Sequence, residues 1–359
     1  MPHAVRFGIE EEYVLLDRDA LVPVSGGDDR YAMFGEVPNG GRICAEYLSS
    51  QFECATTPLT SLQDAGEQLI GMRALLGGFA AERHALLGAT GSPFATAGRA
   101  QISPSPHYDD VFELLGQLTQ EHEVNGMHVH VEVADDEERV RALRRVRSRL
   151  PVLLALSANS PFVYGMHSGL ESWRSVLIRR LPVSWSPPAF ADADDYHRAV
   201  QRLVDIGALP VASSASWAVR LSESYATVEV RVADVQLTVP DALLLAALMR
   251  GIVCTSDLTD ERQREEELDA SMWMAARHGM DARFLTVDGG LETAWDAVGR
   301  MLSGIRPALR EFGDEDFVDD QLARIRREGT GSRRQAAAHA AGGVDGLRAL
   351  YAAGAAPHR

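Results

Sequence analysis

The clearest strand signal in the chain is the segment NGMHVHVEVAD, residues 125–135, in which polar and apolar residues alternate strictly. Successive side chains of a β-strand point to opposite faces. Met127, Val129 and Val131 therefore share one face, while His128 and His130 share the other with Glu132. The pattern predicts a sheet strand that packs its apolar face and carries imidazole and carboxylate groups on the opposite face.

Three further segments repeat this arrangement, and they are predicted as strands at residues 4–16, 43–56 and 225–235. The segment FGIEEEY, residues 7–13, places Glu10 and Glu12 on one face with Ile9 and Tyr13 opposite. Parity puts Glu11 on the apolar side, where we expect a solvated strand edge or an ion pair with an arginine. The polar face of the strand at 43–56 carries Gln51 and Glu53. The polar face of the strand at 225–235 carries Thr227, Glu229 and Arg231.

The remaining pattern is mostly helical. A helix is predicted from Thr60–Ser61 to about His84, with Ser61 and Asp64 spaced like a capping box, and another begins near Asp136. Pro151 either kinks this second helix or starts a third. We expect a loop with at most a short strand at 17–42, loops at 182–195, and a strand and turn at 85–93. From Pro240 onward we expect an almost wholly helical chain with glycine breaks at 279, 289–290, 313, 329–331 and 342–343. Strands before about 235 and helices after it predict an α+β fold in one domain, 1–359.

Composition narrows the possible functions. The chain has 359 residues and a net charge of 35 − 51 = −16, which argues against a nucleic-acid or anionic-membrane partner. It contains no lysine, so a Walker-type phosphate loop and a Schiff-base lysine are excluded. No apolar run has membrane-spanning length, no signal peptide is evident, and three unpaired cysteines suggest no disulfide framework. We expect a cytoplasmic protein that handles any phosphate with arginine, backbone N–H groups and metal ions.

The charged strand faces admit two interpretations. They are either solvated faces of half-exposed antiparallel strands or the ligands of divalent cations, since glutamate, histidine and arginine are typical of metal and phosphate sites. Two carboxylates about 4 Å apart repel by roughly 4 kcal/mol at an effective dielectric constant near 20. The strand periodicity alone leaves both interpretations open.

Motifs along the chain resemble, in order and spacing, the YbdK-like carboxylate–amine ligases, the type 2 glutamate–cysteine ligase family. The resemblance covers roughly residues 5–335. Its motifs are GIEEEYVLLD (8–17), SSQFECATTP (49–58), NGMHVHVEVAD (125–135), ALSANSPFVYG (155–165), SGLESWRS (168–175), TVEVRVADVQ (227–236), AARHGMDARF (275–284) and GTGSRRQ (329–335). The resemblance implies a glutamine-synthetase-like fold, in which a curved, mainly antiparallel sheet lines an active-site funnel and helices pack on its outer face. It also implies γ-glutamyl amide formation through an acyl phosphate, with release of ADP and phosphate.

The resemblance assigns roles to individual residues. It implies ATP and Mg²⁺, or Mn²⁺, as cofactors, glutamate and an amine as substrates, and a homodimer. Arg231 corresponds to a catalytic arginine that contacts ATP, and Glu229 is also assigned to the ATP site. The resemblance gives Arg220 a catalytic and a substrate-binding role. Arg174 and His130 are assigned to substrate binding. The implied metal ligands are Glu10, Glu12, Glu46, Glu53, His128 and Glu229. Glu46 precedes Glu53 by seven residues, on the opposite face of a continuous strand, so it serves only if the chain bends.

The acceptor amine stays open at this stage, because the chain departs from the family pattern where the amino-acid substrates are expected. SWAVRLS, residues 216–222, has Ala218 and Leu221 in place of Asp and Pro, and 176–215 lacks most of the family's tryptophan and glycine pattern. Either cysteine or a specialised amino acid fits. A small-molecule kinase and an inactive nucleotide-binding homologue are the alternatives. A two-zinc hydrolase is disfavoured, because the polar faces offer mostly carboxylates.

Overall fold

The computed structural model describes residues 5–96, 98–104, 106–258 and 263–355, with backbone only at 106–110 and 355. The first residue of the predicted strand 4–16 and both ends of the predicted domain 1–359 lie outside these ranges. The strands are β1 Phe7–Asp17, β2 Gly35–Glu36, β3 Arg42–Ala45, β4 Gln51–Ala55, β5 Ala85–Gly88, β6 Gly126–Glu132, β7 Phe162–Val163, β8 Met166–His167, β9 Ser184–Trp185, β10 Ser216–Trp217, β11 Val219–Leu221, β12 Thr227–Asp234, β13 Arg283–Leu285 and β14 Leu291–Thr293. The helices are α1 Leu62–Ala81, α2 Pro106–Leu115, α3 Asp136–Arg147, α4 Leu150–Ser157, α5 Trp173–Ile178, α6 Ala193–Asp205, α7 Val239–Cys254, α8 Glu265–His278, α9 Ala294–Phe312, α10 Glu315–Glu328 and α11 Gly331–Ala355.

Eight strands form one open sheet in the order β11-β12-β6-β1-β4-β3-β2, with β5 paired to β1. All of these pairs are antiparallel. The prediction of an α+β fold with a mainly antiparallel sheet is confirmed. β12 also carries an irregularity between Val230 and Ala233, of the kind that bends a strand and increases its twist.

The apolar face of the sheet packs against helices. Ile9, Tyr13, Val129 and Val230 are fully buried in the main core, together with nearly every residue of α7. A helix that is apolar on all sides is stable only when it is surrounded by other elements. The polar strand faces therefore point to the other side of the sheet, where His128 and Glu229 are nonetheless buried.

Helix boundaries follow local sequence signals. The Ser61 hydroxyl accepts hydrogen bonds from the backbone N–H groups of Gln63 and Asp64, so it caps α1. α3 ends at Arg147 and α4 begins at Leu150 with Pro151 in its first turn, so Pro151 starts a new helix rather than kinking the old one. In the described residues, no helix is both long and apolar enough to cross a membrane.

Two predictions about the fold are wrong. The segment 43–56 is not one strand, because the chain turns back after Ala45 and β3 and β4 pair antiparallel, with Cys44 opposite Glu53. The chain after Pro240 is not wholly helical, because β13 and β14 form a hairpin whose turn contains Asp288 and Gly289, the latter with φ 82°. Glycine adopts this left-handed conformation readily, which is why Asp-Gly pairs are common in hairpin turns.

Candidate active site

The predicted metal-ligand residues meet on the polar face of the sheet because of the strand register. Glu10 of β1 lies opposite His128 of β6, and Glu12 lies opposite Glu53 of β4. His130 lies opposite Glu229 of β12. Directly opposed residues of antiparallel strands have Cβ atoms about 5 Å apart, so the register makes each pair neighbours.

Glu12, Glu46 and Glu53 form the first of two clusters, which we call the acidic triad. Each contributes a carboxylate oxygen, and these oxygens lie within 4.8 Å of one another. The turn after Ala45 brings Glu46 onto the same side as Glu53, which is the bend that the predicted role of Glu46 required. Within the described residues no arginine forms an ion pair with Glu46 or Glu53. Burial and the neighbouring carboxylates, Glu12 above all, raise the pKa of Glu46 to about 8.

Glu53 has the same electrostatic environment. Burial, followed by the charges of Glu46, Glu10 and Glu12, holds the pKa of Glu53 well above its usual range. Carboxylates in this position favour any cation that can enter, because a cation removes their mutual repulsion. Three glutamate oxygens are also the donor type that Mg²⁺ prefers.

Glu10, His128 and Glu229 form the second cluster, the mixed triad, whose ligand atoms also lie within 4.8 Å of one another. His128 Nδ1 is 3.3 Å from Glu10 Oε2, and His128 Nε2 is 3.8 Å from Glu12 Oε1, so His128 lies between the two triads. Two carboxylates and one imidazole suit Mg²⁺ or Mn²⁺. Burial alone would raise the pKa of Glu10, but hydrogen bonds and charge interactions with His128 and His130 outweigh it, and the pKa lies far below its usual range.

Glu229 differs from the other carboxylates because two arginines already neutralise it. Arg220 of β11 donates from Nε and Nη2 to its two oxygens, at 2.7 and 3.0 Å, and Arg231 donates to Oε1. Burial opposes ionisation, but Arg231 and Arg220 hold the pKa of Glu229 far below its usual range. Arg220 is therefore oriented by Glu229 rather than extended toward open space, and its Nη1 also donates to the Ala215 carbonyl at 2.9 Å.

Three cavities adjoin the triads, and we name each by one lining residue. The Arg174 cavity, of about 190 Å³, is lined by Glu12, Glu46, His128, Arg174 and Arg231 among others. The Leu209 cavity, of about 300 Å³, shares Glu46 and Arg231 with it. The Arg42 cavity, of about 470 Å³, is lined by Arg6, Arg42, Glu10, His130 and Tyr225 among others.

Arg174 and His130, predicted on the substrate side, thus line different cavities. Arg174 is 4 % exposed, and its Nη1 and Nη2 atoms make long hydrogen bonds to the carbonyls of Val232 and Arg231, at 3.4 and 3.3 Å. Its Nε has no hydrogen-bond partner among the described residues. His130 lies on the opposite side, where its Nδ1 is 3.0 Å from Thr227 Oγ1 and its ring contacts Tyr225.

Sequence reasoning missed the groups that hold Arg174 in place. Asp234, which is fully buried, accepts hydrogen bonds from Asn159 N, Ser160 Oγ and Ser172 Oγ at 2.7–2.9 Å and lies 3.8 Å from Arg174 Nη1. A Cβ atom at Gly126 would lie 2.4 Å from Arg174 Nη2, so only glycine leaves room for the guanidinium. Two residues in the sequence could have indicated these groups: Asp234, at the end of TVEVRVAD, and Gly126, directly before Met127.

Glu11, the third carboxylate of the opening strand, takes no part in the triads. It is fully buried on the apolar side of β1 and pairs with Arg73 of α1, with Nη2 to Oε1 at 2.6 Å. Tyr13 donates its hydroxyl proton to the same carboxylate. Of the two positions expected for Glu11, the structure therefore shows the arginine pair and not a solvated edge.

Comparisons with known proteins agree with this architecture. The family model described as glutamate–cysteine ligase family 2 matches residues 6–350. A relative from Mycobacterium sp. (strain KMS), named as a candidate glutamate–cysteine ligase 2-2, is 38% identical over 342 residues, covering 92% of this chain and 93% of its own. A candidate glutamate–cysteine ligase 2-1 from Saccharopolyspora erythraea is 36% identical, covering 91% of this chain and 88% of its own.

Solved structures show the same fold at low sequence identity. A glutamate–cysteine ligase from Francisella tularensis, crystallised with AMP, superposes with a TM-score of 0.75 at 13% identity, covering 98% of this chain and 88% of that one. A bifunctional glutathione synthetase from Pasteurella multocida gives a TM-score of 0.70 at 17% identity, covering 98% of this chain and 52% of that one.

Proposed function

Since the chain belongs to glutamate–cysteine ligase family 2, we propose that it is an ATP-dependent carboxylate–amine ligase that forms a γ-glutamyl amide. The observation that carries the proposal is the position of the two triads. Members of the triads line all three cavities: Glu10 lines the Arg42 cavity, Glu12 and His128 line the Arg174 cavity, and Glu46 lines both the Arg174 and the Leu209 cavities. A ligase of this type has to bring a triphosphate, an acid and an amine to one cation-binding centre, and this arrangement offers a separate cavity for each.

The triads would hold divalent cations. Glu12, Glu46 and Glu53 would bind one ion through carboxylate oxygens, and Glu10, His128 and Glu229 a second. When bound, Mg²⁺ or Mn²⁺ neutralises phosphate charge and lowers the cost of placing an anionic acid beside an anionic nucleotide. The raised pKa of Glu46 supports this assignment, because burial and the charge of Glu12 outweigh the opposing effects of the Tyr47 backbone N–H and Arg231.

The nucleotide is assigned to the Arg42 cavity. It is the largest of the three, and Glu10, Arg6 and Arg42 are among its lining residues. The guanidinium of Arg6 is paired with Glu132. Tyr225, which is 60 % exposed, also lines this cavity and offers an aromatic face. The γ-phosphate would point toward His128 and Arg231, and Arg231 would stabilise the negative charge that develops during phosphoryl transfer.

The acid is assigned to the Arg174 cavity. Arg174 and Arg231 both line it, and a cation at the acidic triad would leave the cavity positively charged overall. Glutamate carries two carboxylates, one for Arg174 and one to face the γ-phosphate. Asp234 and Gly126 would act as positioning residues, because they fix the guanidinium of Arg174.

The reaction then has two steps. A carboxylate oxygen of the acid attacks the γ-phosphorus, the bond from that phosphorus to the bridging oxygen breaks, and ADP leaves. The amine nitrogen next attacks the acyl carbon, the bond from that carbon to the phosphate oxygen breaks, and phosphate leaves with the electron pair while the nitrogen loses a proton to solvent. Holding the reactants in line is the main contribution of the arginines and the sheet.

Steady-state ADP release tests the proposal. Purified protein with ATP, Mg²⁺, glutamate and a panel of amines should release ADP and form an amide, and omission of Mg²⁺, acid or amine should abolish amide formation. A stable phosphorylated acid without amide would indicate a kinase instead. If no amine supports ADP release, the proposed ligase function is wrong.

Two broader expectations, one from the resemblance to the family and one from the sequence composition, need their own measurements. A homodimer is expected, and size-exclusion chromatography with light scattering would give about twice the chain mass of 39.1 kDa. A cytoplasmic location is expected, and fractionation of the cells that express the protein would check it.

A further inference from the structure

The Leu209 cavity differs from its neighbours in the chemistry of its walls. Its volume is about 300 Å³. One end carries Glu46, His122 and Arg231, which it shares with the Arg174 cavity. Tyr47, Leu181 and Ser216 also line both cavities. The walls beyond that end are formed by six apolar residues and four polar ones: Val111, Leu114, Leu115, Pro182, Leu209 and Pro210, with Thr119, Ser213, Ser214 and Arg220.

The shared end places a ligand in this cavity next to the acid. A molecule with its amine at Glu46 and Arg231 and its body against the apolar walls would direct its nitrogen into the Arg174 cavity. The acyl carbon of an activated acid would be held there, under the proposed function. The Leu209 cavity is thus placed for the attacking amine.

The charges around the cavity argue against a strongly polar body for that amine. Arg220 donates hydrogen bonds through two nitrogens to Glu229 and through a third to the Ala215 carbonyl, so all three nitrogens of its guanidinium already bind protein groups. Arg231 also donates to Glu229. The remaining polar lining groups of the described residues are hydroxyls, from Tyr47, Thr119, Ser213, Ser214 and Ser216.

We propose that the Leu209 cavity is the acceptor subsite and takes a primary amine with an aliphatic or aromatic body, in preference to cysteine. The inference rests on the proposed ligase function and adds the substrate class. An apolar body displaces water from apolar walls, whereas a small thiol amino acid would leave much of the cavity unfilled. Selectivity of this kind grows with the number of methylene groups that are buried.

A homologous series of linear amines measures this directly. ADP release is followed with ATP, Mg²⁺, saturating glutamate and ethylamine, propylamine, butylamine, pentylamine or hexylamine. Complete burial of each added methylene should raise kcat/KM about fourfold until the cavity is full. Cysteine and ethanolamine should fall at or below the values for the short alkylamines.

A pair of variants locates the effect in the cavity. Leu115→Gln makes one wall polar and should reduce the ratio of kcat/KM for hexylamine to that for ethylamine about tenfold. Phe112→Gln is the matched control, since Phe112 is on the same helix, is 40 % exposed and lines none of the three cavities. It should leave the ratio unchanged, and circular dichroism would verify the folding of both variants.

The outcomes separate the two proposals. If the protein releases ADP with cysteine best, or if chain length has no effect on kcat/KM, the acceptor inference is overturned while the ligase function stands. The inference is also overturned if Phe112→Gln changes the ratio as much as Leu115→Gln. If no amine in either class supports ADP release, the ligase function itself fails, and the inference fails with it.

Discussion

The acidic triad and the mixed triad lie on the same sheet face, but the protein neutralises the carboxylate charges of the two triads very differently. In the mixed triad, Glu229 is neutralised by Arg220 and Arg231, and interactions with His128 and His130 hold the pKa of Glu10 below its usual range despite its burial. In the acidic triad, Glu46 and Glu53 have no such partner among the described residues, and burial raises the pKa of both. The protein itself supplies the compensating groups of the mixed triad, whereas the proposed cation would supply them in the acidic triad. The acidic triad should therefore be the tighter metal site.

The largest effect is expected from Glu12→Gln, which removes one charge of the acidic triad. Loss of several kcal/mol of charge stabilisation corresponds to about a thousandfold loss of ADP release. Glu11→Gln is the matched control, because Glu11 is adjacent in sequence but on the opposite face of β1, and its rate is compared per folded molecule since it also breaks a buried ion pair. Initial rates at saturating Mg²⁺ and ATP check both variants. A Glu12→Gln rate within tenfold of the unmodified protein would contradict the assigned role.

The same control variant gives the second prediction, now for stability. Glu11 and Arg73 form an almost fully buried ion pair, and Glu11→Gln leaves the guanidinium without its counterion. Removal of one partner of a buried pair costs about 3–5 kcal/mol in the free energy of unfolding. Denaturant titration would measure the loss. An unchanged unfolding midpoint would show that water or another group compensates Arg73.

The third prediction concerns the stabilisation of the protein by added Mg²⁺, a smaller effect that distinguishes the two triads. A ligand that binds only the folded protein stabilises it by about 2.7 kcal/mol at a concentration of 100 times Kd. Mg²⁺ should therefore raise Tm of the unmodified protein, and Glu53→Gln in the acidic triad should remove most of that shift. If Arg220→Gln, next to the mixed triad, removes the shift and Glu53→Gln does not, the ranking of the two sites is reversed.

The smallest expected effect is that of Glu53→Gln on the stability of the metal-free protein, and it tests the electrostatics of Glu53 alone. Without metal, Glu53→Gln should stabilise the protein at neutral pH by on the order of 1 kcal/mol. Burial and three neighbouring carboxylates raise the pKa of Glu53 in the folded state, and a raised carboxyl pKa costs stability at any pH above the pKa of the unfolded chain. Thermal unfolding in the presence of a chelator measures it. Destabilisation of the metal-free protein by this substitution would show that Glu53 is compensated in a way the geometry does not reveal.

Strand parity was enough to predict much of the candidate site. It placed Glu10 with Glu12 and separated Glu11 from both, since two-residue periodicity depends only on local backbone geometry. It could not show that β1 lies between β4 and β6, because strand order is decided by long-range pairing. The opposed pairs Glu10–His128 and Glu12–Glu53 therefore emerge only in the folded chain.

The features that parity missed all depend on where the chain turns or on contacts between distant segments. Glu46 was difficult to place because the turn between β3 and β4 reverses its orientation relative to Glu53. The pairing of Arg220 with Glu229 depends on the register of β11 and β12. The β13–β14 hairpin was hidden within a helical pattern, although Asp288-Gly289 was a visible turn signal.

Transfer of oxygen from the acid to phosphate tests the central claim most directly. Glutamate labelled with ¹⁸O in its γ-carboxylate is turned over with ATP, Mg²⁺ and an amine that supports ADP release, and the inorganic phosphate is analysed by mass spectrometry. An acyl-phosphate ligase passes one labelled oxygen to each phosphate released, because the carbon–oxygen bond of the acid breaks in the second step. Phosphate without ¹⁸O would contradict the account.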